Sequence, residues 1–527
     1  MAKMSVENVI KRASLAASKK DEWRTIYQEC YEYALPQRNL YDGNYEGGVP
    51  GQKKMQKVYD STAIHSTQRF ANRIQSSLFP PYRAWCRLQA GNGIPQGRRA
   101  EVQTVLDFYN ERMFNILRQT NFDLSMSEFL LDLAVGTAIM LIQPGDEKAP
   151  IRFTAVPQYL VSLEEGPHGT VDNVYRKMKM KGDAISLQWP DANISPILQQ
   201  QIDRKPTDDV ELLEATVFNK DTGSYCYYVI HEKLKIMLVY REMKVSPWIV
   251  TRYMKVAGEV YGRGPLITAM PDVKTLNKTL ELVLKNASLA VSGVYTAADD
   301  GVINPQNVKI QPGAIIPVAR NGGPQGPSLT PLPKSADFNV AQLVINDMRM
   351  NIKKMLLDDT LPPDNMSARS ATEVVQRRNE LAQNLGAAFG RLITEAMVPI
   401  VSRILFIMDQ NGDIDLPLKI NGEEVKIVPI SPLAQAQNME ELNDVMQFVQ
   451  IVAGMGPEAM MTIKKDEIID FVAERLGVPG KLLTTPEERE QIAQQYGQMQ
   501  AMAQQQQAQA AAPQGAGNQE ALMRSLQ

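Results

Sequence analysis

The 527-residue chain predicts an α+β fold, predominantly helical, on three observations. Apolar residues recur at helical spacing through most of the first 140 positions and again beyond 336. Alternating apolar and polar runs replace that pattern from about 150 to Tyr253. Two helical segments, 264–289 and 336–357, are separated by Gly301–Pro333, a stretch thick with Gly, Pro, Val and Ile. Helix, small β-rich insert, helix, Pro-containing loop and longer helix is an order that suggests a ring built around a channel, not an enzyme built around a pocket.

Taken in order, the segment up to about Leu40 places Trp23, Ile26, Tyr27 and Cys30 at helical spacing and ends near Pro36, before a Gly-rich loop from Gly43 to Gly51. Val58 to Leu78 reads as a helix stopped by Phe79-Pro80-Pro81. Glu101 to Leu117 reads as another, with Val105, Phe108, Met113 and Leu117 for packing, and Asn121 to Met140 as a third amphipathic helix. Ile151-Arg152-Phe153, Val174-Tyr175-Arg176, Tyr225 to Ile230 and Ile236 to Tyr240 read as strands, the last two flanking a turn. Together these make an α+β domain of about 260 residues.

Gly264-Pro265 opens the first of the paired helices, Pro271-Asp272 is a restart point, and Leu276, Leu280, Val283, Leu284 and Ala287 keep an apolar stripe. Residues 272–289 at 1.5 Å each give a rod of roughly 27 Å. The second rod, from Asp337, puts Val340, Leu343, Val344, Met348, Ile352 and Met355 on one face, with Asn339, Gln342, Asn346, Arg349 and Lys353 opposite. The connection is far longer than a helical hairpin uses, so it predicts a small module, with strands at Val291–Ala297, Val308–Ile310 and Ala314–Val318. Leu357 to Arg369 breaks the helical pattern, and Ser370-Ala371-Thr372-Glu373 has the form of a capping box. The helix it opens predicts a run to Met408 with kinks at Gly386, Gly390 and Pro399. Turns at Asn411-Gly412 and Asn421-Gly422 frame Ile414 to Ile430, a small hairpin returning to the α+β domain. Met439 to Val452 and Lys465 to Leu476 are short helices, and a Gln-, Ala- and Met-rich tail follows from Gln491.

Composition narrows the function. At 44% hydrophobic and 22% charged the chain can bury two or three cores. The N-terminal stretch has no apolar signal core, and Leu392 to Met408 is interrupted by Glu395 and Arg403, so neither secretion nor a membrane span is expected. Cys30, Cys86 and Cys226 lie far apart with no CxxC, which argues against a zinc ribbon or a disulfide framework and for a reducing setting. A net charge of −3 lacks the basic excess of a protein that grips DNA, so DNA as a partner is passed rather than held.

Catalytic and cofactor motifs are missing. His231-Glu232 continues as Lys233-Leu234-Lys235, without the second histidine of a zinc helix. Gly91-Asn92-Gly93 with Gly97 misses the dinucleotide spacing and contains Pro95, and reads as a surface turn. There is no GxxxxGK[ST] phosphate loop and no GxSxG elbow. Asp299-Asp300 and Asp358-Asp359 are carboxylate pairs without a third ligand nearby and read as solvated loop residues. No enzyme activity, metal or cofactor is expected.

The order of parts, with Ala71-Asn72-Arg73-Ile74-Gln75-Ser76-Ser77-Leu78-Phe79-Pro80, Trp85-Cys86-Arg87-Leu88, Gly258-Glu259-Val260-Tyr261-Gly262-Arg263-Gly264, Arg369-Ser370-Ala371-Thr372-Glu373-Val374 and the Gln-rich ending after Leu482-Leu483-Thr484, resembles the portal, or head-to-tail connector, proteins of podovirus-type short-tailed bacteriophages. The resemblance covers nearly the whole chain and implies a dodecameric ring at one capsid vertex with wing, stem, clip and crown around a central channel. By that mapping 1–263 and 370–432 are wing, 264–289 and 336–357 stem, 290–335 clip, 358–369 channel loop, 433–485 crown and 486–527 tail.

The resemblance further implies a non-enzymatic role. The ring nucleates procapsid assembly with scaffold and major capsid proteins, docks the terminase large subunit, conducts double-stranded DNA inward and at ejection outward, and then seats a tail adaptor. It implies residence in the virion and, during assembly, in host cytoplasm. DNA-channel candidates are Lys274, Lys278, Lys285, Arg349, Lys353, Lys354 and Arg369, each with the competing reading of a solvated face or an intersubunit ion pair. The channel loop contributes Asp359, Thr360, Asp364 and Asn365, stiffened by Pro362-Pro363. Two other classes predict different signs: a tail adaptor ring would be shorter and lack the rod, insert, rod, loop order, and a metal-dependent hydrolase would show metal-dependent activity.

Overall fold

A computed structural model describes residues 4–36, 58–91, 93–146, 148–292, 295–297, 329–331, 338–358, 385–414, 425–456 and 462–476, with single positions 459, 492 and 495. The Gly43–Gly51 loop, the strands expected at 308–310 and 314–318, loop residues 359–369, the 370–373 capping box, the Asn421-Gly422 turn and nearly all of the tail lie outside them. The described residues fall into two compact units, one drawn from 1–85, 113–415 and 431–437, the other from 86–112, 416–430 and 438–527.

The first unit opens with α1 (Val6–Asp21), whose Ser5 side chain accepts from the Asn8 amide as an N-cap, then α2 (Arg24–Ala34) and α3 (Thr62–Leu78). Helix α5 (Phe122–Val135) is buried on nearly every side and stops at Gly136, five residues before the sequence pattern predicts its end. Gly136 has φ of +151°, and a Cβ there would stand 2.1 Å from the Gly262 carbonyl oxygen, so the chain must turn at a residue without a side chain. Residues 137–140 consequently belong to strand β2 (Thr137–Pro144), not to the predicted helix.

Strand β2 is the centre of a three-stranded antiparallel sheet between β3 (Ile151–Ala155) and β9 (Trp248–Arg252). The second sheet is a meander of β4 (Val161–Glu165), β5 (Val171–Lys181), β6 (Asp209–Asn219), β7 (Ser224–His231) and β8 (Ile236–Met243). Alternation sends Leu213, Ala215, Val217, Tyr228 and Ile230 to one face, where Val9, Ala13 and Ala16 of α1 cover them. Leu212, Tyr227 and Val229 point the other way, under Ile185 of α6 (Ala184–Gln188) and Leu198 of α7 (Pro196–Arg204).

Helix α8 (Pro265–Ser292) begins with Pro at N1 and runs unbroken through Pro271, so no restart occurs there. It also takes up Val291 and Ser292, which the sequence pattern predicts in a strand; the strand is the shorter β10 (Tyr295–Ala297), paired antiparallel with β11 (Leu329–Pro331). Helix α9 (Phe338–Met355) returns along α8. The expected long helix resolves, from residue 385, into α10 (Ala387–Arg391), a π-helical stretch (Leu392–Met397) and α11 (Val398–Gln410). The break falls at Gly386, with φ of +43°, and the register slip falls just before Pro399, whose missing N–H removes a ladder hydrogen bond, while Gly390 stays helical.

The second unit contains β1 (Cys86–Ala90), most of α4 (Gln96–Arg118), β12 (Val425–Pro429), most of α12 (Pro432–Gly454) and α13 (Lys465–Leu476). Strand β12 pairs antiparallel with β1, a partner more than 330 residues away; residues 415–424, where the other strand of the expected hairpin falls, lie outside the described residues. Helix α4 starts at Gln96, so Gly97 lies in the helix and not in a surface turn. Its buried stripe is Leu106, Met113, Phe114 and Leu117, while Val105 and Phe108, expected inside, are exposed. Two apolar stripes compete on this helix, and periodicity alone does not choose between them.

Candidate functional site: the paired helices and their root

Helices α8 and α9 are inserted at one end into a core of the first unit. Val273, Leu276, Ile345, Ile352 and Leu356 share a cluster with Tyr27 and Tyr31 of α2, Ala63 of α3 and Leu163 of β4, and Leu280, Val283 and Met348 pack against it. The inward stripe of α9 is therefore Ile345, the half-buried Met348 and Ile352, continued past its end by Leu356. Leu343, Val344 and Met355, which spacing puts on one face with Met348 and Ile352, are exposed, as are Met350 and, on α8, Leu282 and Leu284. Helix α9 thus carries one apolar stripe for its own core and, at Leu343 and Met350, a second side that the single chain leaves uncovered, while α8 leaves Leu282 and Leu284 exposed on opposite sides.

The segment leading into α3 holds this root by polar contacts. Asn277, buried in α8, accepts the amide N–H groups of Tyr59 (2.8 Å) and Asp60 (3.0 Å) at Oδ1. Asp60 is buried and accepts from Arg349 of α9 through Nε (2.9 Å) and Nη2 (2.7 Å). Burial alone would raise the Asp60 carboxyl, but the Thr62 hydroxyl and amide and the Arg349 guanidinium outweigh it and hold the group below the usual carboxylate range. Past the end of α9, Leu357 takes φ of +56° and Asp358 turns inward to accept from Ser66 (2.8 Å) and Arg69 (3.1 Å) of α3. Asp358 is buried and partnered, not the solvated loop residue that its pairing with Asp359 predicts.

The approach to α8 is just as constrained. A Cβ on Gly264 would stand 2.1 Å from the Ala134 carbonyl oxygen, and the Gly264 amide donates to Val135 (2.9 Å). Gly262 receives the Tyr27 hydroxyl at its carbonyl (2.9 Å) and donates its N–H to Thr137 (2.8 Å). The Gly258–Gly264 stretch, singled out from sequence, is where the chain threads between α5 and β2 into the rod.

Of the cations singled out on the rods, Lys274 pairs with Glu29 of α2 at 2.7 Å, and Lys278 (3.0 Å) and Lys285 (2.5 Å) share Glu281. Arg349 is committed to Asp60. Lys353 and Lys354 are exposed, with no ion pair among the described residues. Arg369 and loop residues Asp359, Thr360, Pro362, Pro363, Asp364 and Asn365 lie outside the described residues. Asp60, Asn277, Ser66, Arg69 and Asp358 escaped sequence reasoning because their partners are over 200 residues apart. The one local signal was Asn277, a polar residue next to the apolar stripe of α8.

Among the described residues no group of three or more His, Cys, Asp or Glu side chains is placed to hold a metal, and no helix is long and apolar enough to cross a membrane. Cys30, Cys86 and Cys226 are buried free thiols, and burial raises Cys30 to about 12.

Similar proteins agree in kind. The chain is 21% identical over 493 residues to the portal protein of Escherichia phage T7, covering 90% of this chain and 88% of that one. It is 22% identical to the probable portal protein of Bordetella phage BPP-1, covering 93% and 90%, and 22% identical to the portal protein of Salmonella phage epsilon15, covering 95% and 94%. Residues 6–483 match the family described as bacteriophage head to tail connecting protein, and with nearly the whole chain inside that match, it belongs to that family.

Proposed function

We propose that copies of this chain form a dodecameric ring at one capsid vertex, with α8 and α9 as the wall of the channel through which double-stranded DNA enters and leaves the head. The observation that carries it is the set of apolar side chains that the rods leave exposed in the single chain: Leu343, Val344 and Met350 on one side of α9, with Leu282 and Leu284 on α8. A closed ring needs two different, complementary faces per subunit, and a stripe left over after the monomer core is satisfied is suited to one of them. Residues 290–335 serve as clip, 433–485 as crown, and 1–263 with 370–432 as wing.

Translocated DNA must not adhere, because each strong phosphate contact would recur as a barrier along the backbone. The pairing of Lys274, Lys278, Lys285 and Arg349 with carboxylates supports a muted wall. Lys353 and Lys354, at the end of α9, with Arg369 and the 359–365 loop beyond, are the positions at which ring symmetry multiplies a few charges into a centring field. The ring is not an enzyme. Packaging work comes from a docked terminase ATPase, assembly in the host cytoplasm begins with scaffold and major capsid proteins, and a tail adaptor closes the clip.

The test is negative-stain electron microscopy with native mass measurement on one sample of purified protein. The reading expects a rotationally symmetric ring with a central hole and a mass near a dozen chains. A monodisperse monomer or dimer without a hole, even with scaffold protein added, would overturn it.

A further inference from the structure

Where the end of β8 and its turn to β9 meet β2 and α11, the first unit has a cleft of about 400 Å³ whose lining includes Gln143, Asp146, Arg152, Trp189, Arg241 and Arg403. Arg403, in the middle of α11, is 2% exposed. Its Nε donates to the Ile142 carbonyl (3.3 Å), its Nη1 to the Val245 carbonyl (3.1 Å) and to the Met243 sulfur (3.6 Å), and its Cζ lies 5.3 Å from the Phe406 ring centroid. All four partners are dipoles or a π face. No carboxylate pairs with Arg403 among the described residues, and its Nη2 has no acceptor there.

The neighbouring guanidiniums repeat the imbalance. Arg241 gives Nε (3.0 Å) and Nη2 (2.5 Å) to Asp191, which leaves Nη1 without an acceptor among the described residues. Arg152, on the exposed rim, pairs with Asp146 at 2.7 Å. Three guanidiniums therefore face two carboxylates, and the excess positive charge is the one most deeply buried. A buried charge compensated only by dipoles is costly, and the compensation most open to it is a mobile anion.

We propose that this cleft binds a small oxyanion, a phosphate or a carboxylate group, held between Arg403 and Arg241. The unused N–H groups of two planar guanidiniums in one cleft match the lone pairs of such a group, and Trp189 and Tyr227 wall off part of the site. Burial already pushes the Arg403 guanidinium down to about 10, which is the strain that an incoming anion relieves. The bound anion would tie β2, the β8–β9 turn and α11 together, so occupancy would also raise thermal stability by mass action.

Isothermal titration of the full chain with inorganic phosphate and, separately, with acetate, in a chloride buffer at pH 7, tests this. The expected result is a saturable isotherm, weakened at least about tenfold in Arg403→Met, with a smaller change in Arg152→Gln, whose side chain already has a partner. Phosphate without acetate identifies a phosphoryl ligand, and comparable binding of both identifies a carboxylate-accepting site; each supports the proposal. If Arg403→Met does not fold, Arg241→Gln, altered at a half-exposed side chain, carries the test with the same tenfold expectation. No saturable isotherm with either anion, or an isotherm unchanged in the variants that fold, overturns it.

Discussion

Arg349 and Asp60, 289 residues apart in sequence, meet through two hydrogen bonds of 2.9 and 2.7 Å that pin the middle of one rod to the chain just ahead of α3. Asp60 is 5% exposed at its side chain and Arg349 37%, so the pair is screened on one side only. Arg349→Ala should cost about 2 kcal/mol, below the full penalty for breaking a buried pair because solvent can reach the arginine. Arg349→Lys should recover part of it, since a point charge does not reproduce the fork. Urea-unfolding midpoints check both.

The same pair sets a pH dependence. Asp60 titrates below its unfolded value, so its contribution is complete above about pH 4 and is lost as pH falls through the lower folded value. The stability gap between wild type and Arg349→Ala should therefore be constant from pH 5 to 7 and narrow in more acid solution. A gap independent of pH down to the acid transition would show that the carboxylate is not the partner that matters.

Arg252 of β9 and Glu395 of the π-helical stretch form another deep pair. Nη2 lies 2.7 Å from Oε1, the Arg252 amide donates to Oε2 at 2.9 Å, and the Thr251 hydroxyl donates to the Glu395 carbonyl at 3.0 Å. The π register is what brings this carboxylate over the end of β9. Glu395→Ala leaves a nearly inaccessible guanidinium short of its main partner, with Glu165 more distant at 3.8 Å, and should cost about 3 kcal/mol. Chemical denaturation followed by tryptophan fluorescence measures it.

Gly264→Ala should be more damaging than any of these in proportion to its size, about 3 kcal/mol or more, because the added methyl meets backbone at Ala134 that has no rotamer to yield. Gly390→Ala, where a Cβ meets nothing within 4 Å, is the control and should be neutral or mildly stabilising. Soluble yield and thermal midpoint distinguish the two.

On the ring reading, Leu343→Asp and Leu284→Asp each place a charge at an apolar position that the single chain leaves exposed. Both should leave the far-ultraviolet circular dichroism of the subunit unchanged and shift native mass from ring to small species. Intact rings from the double variant would remove these two positions from the subunit contact.

Much of the architecture was legible locally. Pro265 at the start of α8, Phe79-Pro80-Pro81 after α3 and the alternation in β7 and β8 act through backbone geometry and through burial of adjacent turns or faces, so they leave a signature within a few residues. The two rods separated by a long insert were visible for that reason. Their root was not: Asp60 with Arg349, Asn277 with the 59–60 amides and Asp358 with Ser66 and Arg69 join positions with no common sequence pattern.

What the sequence by itself determined was the period at which apolar residues recur in each element, because the hydrophobic effect acts on composition and spacing. Which of two apolar stripes turned inward on α4 and α9, where α5 ended, that β12 paired with β1, and that Pro399 was approached through a π turn were decided only by the tertiary structure. Those outcomes depend on the shape already occupied by distant parts of the chain: the Gly262 carbonyl against Gly136, the α2–α3 surface under Ile345 and Ile352, and the Arg252 guanidinium waiting for Glu395.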